Sequence, residues 1–390
     1  MKFNKKIASL LLTGAVSACF ITGAAGCIED GKDPAASEGY AAECYTKLEY
    51  IDDVLSDRDC LAGKDFKYAQ KWISWTLMQA GYPEEEIIYQ PATFSRYYKK
   101  SAIVDLDTAG LKEKFSAVDK YEVSEKFYNK NGREYVEAED GQYAKVDVTT
   151  PNICVTKKGK SDKQIIVGAH YDGDGTGDNG SGVSLALTTA EKVFSMNLEY
   201  TIKFVFFTAE EYGKHGSSAY ANEMTEEEVA NTLYMINLDS LVCGDYAYIY
   251  GGVQDNENKT VTQTEAYDNA MAVANSLGLS LKSNPWTWDN HAPNEKDEKF
   301  PSYAAPSTGN WSDHYGFKLR GIPYVYFEAT NWEIPDYTGY GETYLVGMLM
   351  NTQNDYLSYI ERYFPGRIMK HFETFSKLLY ALVTQDNVNF

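Results

Sequence analysis

The stretch QIIVGAHYDGDGTGDNGSGVSLAL, residues 164–187, decides the fold. From Gln164 to Ala169 it holds a short run of mostly apolar residues that ends at His170. A run of that length is strand-sized, and apolar character on successive positions predicts a strand covered on both faces. Glycines then crowd the segment from Gly173 to Gly182, letting the chain bend sharply, and a helical pattern follows from Gly182 to Met196. Strand, glycine-rich bend and helix in that order make half of a parallel crossover unit.

Working outward, the runs Asn152 to Val155, Thr201 to Phe207, Leu233 to Leu238, Tyr246 to Tyr250 and Pro323 to Phe327 repeat the strand signal. Helical patterns at 262–277, 351–362 and 366–383 lie between and after them. The expected fold is α/β, with a mixed, mostly parallel central sheet and helices on both faces. Upstream, Phe66, Ala69, Trp72, Ile73 and Leu77 recur at helical spacing as a packing face. Residues 94–145 are charged and Tyr-rich with a turn signal at Asn131 and Gly132, so they read as a hairpin-bearing insertion into a single domain spanning 41–390.

Three of the apolar runs lead into residues of types able to bind cations: His170 after the first, Glu210 and Glu211 after the second, Asp239 after the third. In an open α/β sheet, side chains beyond the carboxyl ends of neighbouring strands converge on one crevice, however distant they are in sequence. Asp172, two residues past His170, is placed to accept the second imidazole N–H and so fix the tautomer. The glycine-flanked bend brings Asp178 back toward the same strand ends, and its two oxygens suit a bridge between cations about 3.5–4 Å apart. If Glu211 binds metal, Glu210 is left free as general base and then general acid. This is the chemistry of metal-assisted hydrolysis.

VGAHYD, GTGDNGSG, FTAEEYGKHGS and MINLDS, with WSDHYGF and GIPYVYFE after them, resemble in order and spacing the co-catalytic zinc aminopeptidase family, which includes glutamate carboxypeptidase II and the glutaminyl cyclases. The likeness covers roughly residues 148–385 and is loose over 41–147. It implies a zinc exopeptidase fold of the phosphorylase/hydrolase-like kind, peptide substrates and two zinc ions. One would be held by His170, Asp178 and Glu211, the other by Asp178, Asp239 and a late His, with Glu210 as catalytic base. The late His normally opens an HT-x-x-D segment; here Asn351 opens NTQND, and no His occurs between His314 and His371. Three readings stay open. Asn351 coordinates through its amide oxygen, a weaker zinc ligand than imidazole; His314 substitutes; or the second metal is lost, leaving a one-metal or inactive chain.

Zinc-dependent exopeptidase, and within that class aminopeptidase, is the leading functional reading. The rival outside the enzyme class is a non-catalytic, peptide-binding surface scaffold, favoured by Asn351; a one-metal glutaminyl cyclase-like enzyme is the rival within it. The formal net charge of -20 argues against nucleic acid as a partner, because it repels phosphate. Lys2, Lys5 and Lys6 ahead of the apolar stretch Ile7 to Ala18 read as an export signal, 1–27, with lipoprotein-type cleavage before Cys27 preferred over Cys19. Residues 28–40 then form a tether, membrane contact is limited to a lipid on Cys27, and the destination is the cell envelope or the exterior. Of the remaining cysteines, Cys154 and Cys243 read as small buried hydrophobes, while Cys44 and Cys60 are either bridged or free. His215, His291 and His371 read as bland residues. Trp286, Trp288, Trp311 and Trp332 line either a cleft or the core. Ser181 and Ser184 lack the strand-turn-helix context of a nucleophile.

Overall fold

The computed structural model describes residues 39–99, 113–118, 120–128, 134–135, 143–292, 301–335, 337 and 339–388. The leader, most of the tether and the Asn131–Gly132 turn lie outside the described residues. Helices are α1 (Tyr40–Val54), α2 (Phe66–Ala80), α3 (Gly180–Val193), α4 (His215–Glu223), α5 (Glu226–Asn231), α6 (Glu265–Ser276), α7 (His314–Leu319), α8 (Leu357–Tyr363) and α9 (Arg367–Val383). Strands are β1 (Ile88–Lys99), β2 (Lys120–Tyr128), β3 (Glu134–Tyr135), β4 (Tyr143–Lys157), β5 (Gln164–His170), β6 (Thr201–Phe207), β7 (Thr232–Leu238), β8 (Tyr246–Tyr250), β9 (Val253–Asp255), β10 (Thr260–Thr262) and β11 (Tyr324–Thr330).

The main sheet has the order β3-β2-β4-β6-β5-β7-β11-β8, with β1 also paired to β4. Its centre, β6-β5-β7-β11, is parallel. The flanking pairs β4–β6 and β8–β11 are antiparallel. Every residue of β5 and of β11 is buried, as expected for strands covered on both faces. Ile165, Val167 and Ala169 join a large core with residues of α1, α2, α3, α6 and α9. Ile166, between them, points the other way into a smaller core with Ala221 of α4 and Phe317 of α7. That alternation is the two-residue period of a strand, and it puts helices on both faces.

One expectation needs correction. Residues 94–99 continue β1, which pairs with β4 through twelve positions, from Ile88 with Cys154 to Lys99 with Tyr143, and so extend the main sheet. The predicted helix over 351–362 begins only at Leu357. Its first residues turn instead, because Asp355 is drawn away to accept the Gly177 and Asp178 amides while Asp52 accepts from the Leu357 amide.

From β5 the chain runs through α3 to β6 on one side, and from β6 through α4 and α5 to β7 on the other. The connections part at the carboxyl ends of β5, β6 and β7, which leaves a crevice there.

Candidate active site

His170 ends β5, and its Nε2 lies 3.1 Å from Asp178 Oδ1 and 3.3 Å from Asp239 Oδ1. All three side chains are buried, and their donor atoms lie within 4.8 Å of one another. Asp178 reaches the cluster because the next residue, Asn179, pins the glycine-rich bend to β7. The Asn179 amide donates to the Leu238 carbonyl at 2.8 Å, and its oxygen accepts from the amides of Gly182, as the cap of α3, and Ser240. From beneath, Asp355 accepts from the Gly177 and Asp178 amides at 2.7 and 2.9 Å. Gly177 has to be glycine here, since a Cβ would run into the Cys243 sulfur and the Asp355 carboxylate. Arg58, 2% exposed, holds the start of the bend by donating to the carbonyls of Leu55, Tyr171 and Gly175. Ser312 donates to Asp239 Oδ2 at 2.6 Å.

Glu210 and Glu211 follow β6 on a turn that starts at Ala209, with φ of 53°, and returns through the Gly213 and Lys214 amides to the Glu210 carbonyl. Glu211 reaches back over Gly173, where a Cβ would meet its Oε1 at 2.7 Å. Asp172 Oδ1 accepts from the Glu210 amide at 3.1 Å and lies 3.7 Å from His170 Nδ1, beyond hydrogen-bond range. The imidazole's contact on that side is the Asp172 carbonyl at 3.2 Å, so Asp172 orients the ring through its main chain and the Glu210 turn through its carboxylate.

The expected donors do not all lie equally close together. His170, Asp178 and Asp239 form one set. Glu211 stands apart from it and shares the cavity walls with Asn351, whose amide donates to Asp178 Oδ2 at 3.2 Å. Asn351 has φ of 56°, a left-handed conformation that Asn tolerates well. His314 does not substitute for it. Its ring stacks on Tyr324 and Tyr326, its Nε2 contacts the Gly309 carbonyl at 2.9 Å, and burial lowers its pKa to about 3.

The electrostatics are those of a cation site. Burial and the neighbouring Asp239 raise Asp178, and burial, with Asp313 and Asp239 nearby, raises Glu210 well above the usual carboxylate range. Withdrawal from water and the Asp178 charge push Glu211 up to about 8. Burial would depress His170, yet Asp239 and Asp178 outweigh it and raise its pKa. One imidazole therefore answers several carboxylates packed together, and like charges at this spacing are stabilised by a bound cation. The donor set of His170, Asp178 and Asp239 fits zinc, which takes imidazole nitrogen and carboxylate oxygen. Asp178, Glu211 and Asn351 offer only oxygen ligands or a neutral amide, a poorer match.

Two cavities open on the cluster. One, of about 290 Å³, is lined by Glu210, Asp239, Trp311, Tyr326, Glu328, Tyr340 and Met350; the other, of about 600 Å³, by Asp59, Asp174, Tyr212, Gln353, Asp355 and Tyr356. Asp178, Glu211 and Asn351 line both and mark their junction.

The remaining sequence expectations resolve individually. Trp311 lines the smaller cavity, whereas Trp332 is core, donating to the Tyr250 hydroxyl at 2.7 Å. His215 stacks on Phe94, and His371, read from sequence as lying on a surface helix, is buried against the Gly244 carbonyl. Cys44 and Cys60 are free and buried, so they form no bridge with each other, and Cys243 is buried as expected. Asp355, Arg58, Ser312 and Glu328 were not singled out from sequence; Asp355 in NTQND, Ser312 in WSDHYGF and Glu328 in GIPYVYFE each stood within a quoted motif, whereas Arg58 carried no signal.

Among known proteins, the model of peptidase family M28 matches residues 152–368. The alkaline phosphatase isozyme conversion protein of Escherichia coli K12 is 28% identical over 279 residues, which is 65% of this chain and 76% of that one. Leucine aminopeptidase 2 of Trichophyton rubrum is 34% identical over 118 residues, 29% of this chain; the chain spans about a quarter (24%) of that relative's length. Among solved structures, the zinc aminopeptidase BSAP of Bacillus subtilis has the same fold, with a TM-score of 0.55 at 17% identity over 88% of this chain and 95% of that one. The LapA aminopeptidase of Legionella pneumophila superimposes with a TM-score of 0.52 at 13% identity, over 97% and 82% of the two chains.

Proposed function

The chain belongs to peptidase family M28, and from that premise we propose that it is a zinc-dependent aminopeptidase removing residues from the N-termini of peptides. The observation that carries this reading is the coincidence, on one small cavity, of Glu210 with Asp178 and Asp239, the two carboxylates that share a donor set with His170. Leucine aminopeptidases among the relatives and zinc aminopeptidases among the structural neighbours support it.

His170, Asp178 and Asp239 would hold zinc, which when bound polarises a carbonyl oxygen and acidifies water. The chain's own residues do the rest. Glu210, ionised once a cation offsets its neighbours, accepts a proton from the attacking water as the oxygen–carbon bond forms. It then delivers that proton to the amine nitrogen as the carbon–nitrogen bond breaks, returning to carboxylate. The Asp172 contact with the Glu210 amide holds the base in place. Glu211 and Asn351, at the junction of the cavities, bound the position of the scissile bond. Asn351 supports one tight zinc per chain with a second, weaker cation site.

A panel of aminoacyl anilides with added zinc tests the reading. Wild type hydrolyses the panel, and Glu210→Gln loses about a thousandfold or more in kcat while keeping its zinc, a loss in the range associated with a positioned acid–base group. Unchanged activity in that variant removes the base. For location, we propose export with a lipid on Cys27, supported by the basic and apolar leader; palmitate labelling lost in Cys27→Ala is the expected result.

A further inference from the structure

The smaller cavity has aromatic residues in its wall and one buried carboxyl group, Glu328, among them. Of its lining residues Tyr340 is 53% exposed, Trp311 and Met350 are half-buried, and Tyr326 and Glu328 are 1% and 5% exposed. Of the five carboxylates on its wall, Asp178, Glu210, Glu211 and Asp239 belong to the catalytic group at the junction, which leaves Glu328. Glu328 projects from β11 on the same face as Tyr326, two residues away, as strand alternation requires. Its Oε1 accepts from the Tyr326 hydroxyl at 2.9 Å and its Oε2 from the Tyr250 hydroxyl at 2.8 Å. Both partners are neutral, and among the described residues no lysine or arginine forms an ion pair with Glu328. Tyr250 is itself fixed by the Trp332 indole, so the carboxyl is rigidly aimed.

We propose that this slot receives the side chain of the substrate's N-terminal residue and selects a basic one, arginine or lysine, with Glu328 as the specificity-determining residue. The inference rests on the aminopeptidase reading above. An exopeptidase needs one pocket for the terminal residue and room for the rest of the chain, and the 290 Å³ cavity beside the larger 600 Å³ one supplies both. A long aliphatic stem lies against Trp311, Tyr326 and Met350, and ring faces attract a cation passing over them. Each Glu328 oxygen has a further lone pair beyond its tyrosine bond, enough for a guanidinium fork or an ammonium. An unanswered buried carboxyl is the environment that a cationic side chain completes, and burial, which pushes the Glu328 pKa up to about 8, marks the missing counter-charge. Lys214, the cation on the cavity wall, belongs to the turn after the Glu210–Glu211 pair, on the catalytic side of the slot.

The test pairs hydrolysis with binding. Zinc-loaded wild type should cleave arginyl and lysyl anilides with kcat/KM tenfold to a hundredfold above leucyl anilide, the range of a charged hydrogen bond made in a buried site. Glu328→Gln, which keeps the side chain's shape, should bring the arginyl-to-leucyl ratio to within about threefold of one. Calorimetry on zinc-loaded E210Q should show L-argininamide binding at least tenfold tighter than L-leucinamide, and E210Q/E328Q should lose that margin. A leucyl preference, or an arginyl preference that survives E328Q, overturns the proposal. Failure to cleave any anilide strikes the aminopeptidase reading instead, and the two amides still decide the slot.

Discussion

Arg58 offers the sharpest test of how the site is held in shape. It is 2% exposed and spends its guanidinium on three carbonyls, with Nε to Tyr171 at 3.1 Å, one terminal nitrogen to Leu55 at 2.7 Å and the other to Gly175 at 2.7 Å. Tyr171 and Gly175 lie on either side of the turn that leaves His170, so one side chain ties the end of α1 to the bend that carries Asp178. Burial lowers the Arg58 pKa, and Asp174, Asp355, Asp172 and Asp178 counter it. Arg58→Met removes three charged bonds of about 1.5–3 kcal/mol each, offset by the cost of burying the cation, so the net loss should be about 3–5 kcal/mol. At about 2 °C per kcal/mol for a chain of this size, Tm should fall by roughly 6–10 °C. Arg58→Lys should recover little, because a single ammonium does not reproduce a planar fork pointing in three directions. Thermal and urea unfolding in chelator measures the stability, and competition with a chromophoric chelator measures zinc affinity, which should drop at least tenfold in both variants. A lysine variant as stable as wild type, or a methionine variant within 1 kcal/mol of it, would refute the reasoning.

Three further outcomes follow from the same geometry. Asn351→His should raise the zinc content from one to two per chain and increase activity, because His tolerates the left-handed backbone that Asn351 adopts at φ of 56°; metal analysis after gel filtration reads the stoichiometry. Glu328 and Glu342, both with pKa raised to about 8 chiefly by burial, hold protons in the folded state that they release on unfolding above their ordinary value of 4.5. Their stabilising contribution is whole below that value and is lost as pH climbs toward 8, so the chelated protein should lose on the order of a few kcal/mol between pH 5 and pH 8 in urea titrations. Asn179→Ala removes the α3 cap and the tie to β7 together, and should cost about 2 kcal/mol in the same assay and weaken zinc binding.

Much of the fold was legible because a strand buried on both faces shows as an unbroken apolar run: β5, β6, β7, β8 and β11 each lie where one was read. The convergence of His170, Asp178, Glu210, Glu211 and Asp239 was legible for the same reason, since strand ends in a parallel sheet share an edge. How the donors divide between two cation positions was not. His170 sits on β5 between β6, which carries the Glu pair, and β7, which carries Asp239, and sequence order favours neither neighbour. The choice is made by Asn179, whose side chain fastens the bend to Leu238 and Ser240 of the β7 side and so delivers Asp178 between His170 and Asp239. The start of the helix expected over 351–362 likewise failed, because Asp355 commits its carboxylate to two amides in another loop and the chain turns before Leu357.

That division gives the departure at Asn351 a specific meaning. Because His170 belongs with Asp178 and Asp239, the set that retains an imidazole is complete, and the substitution falls entirely on the position shared by Asp178, Glu211 and Asn351. In the proposed arrangement the two positions are unequal before any ion arrives: one has nitrogen and carboxylate donors, the other only Glu211, the shared Asp178 and a neutral amide. Asp178 serves both, so a cation in the first position draws on the charge that the second would need. Zinc should fill the first tightly, while the oxygen-rich second position favours a harder ion such as magnesium or manganese at lower affinity. Glu210 lines the cavity with Asp178 and Asp239, so the proposed proton carrier stands beside the proposed stronger position.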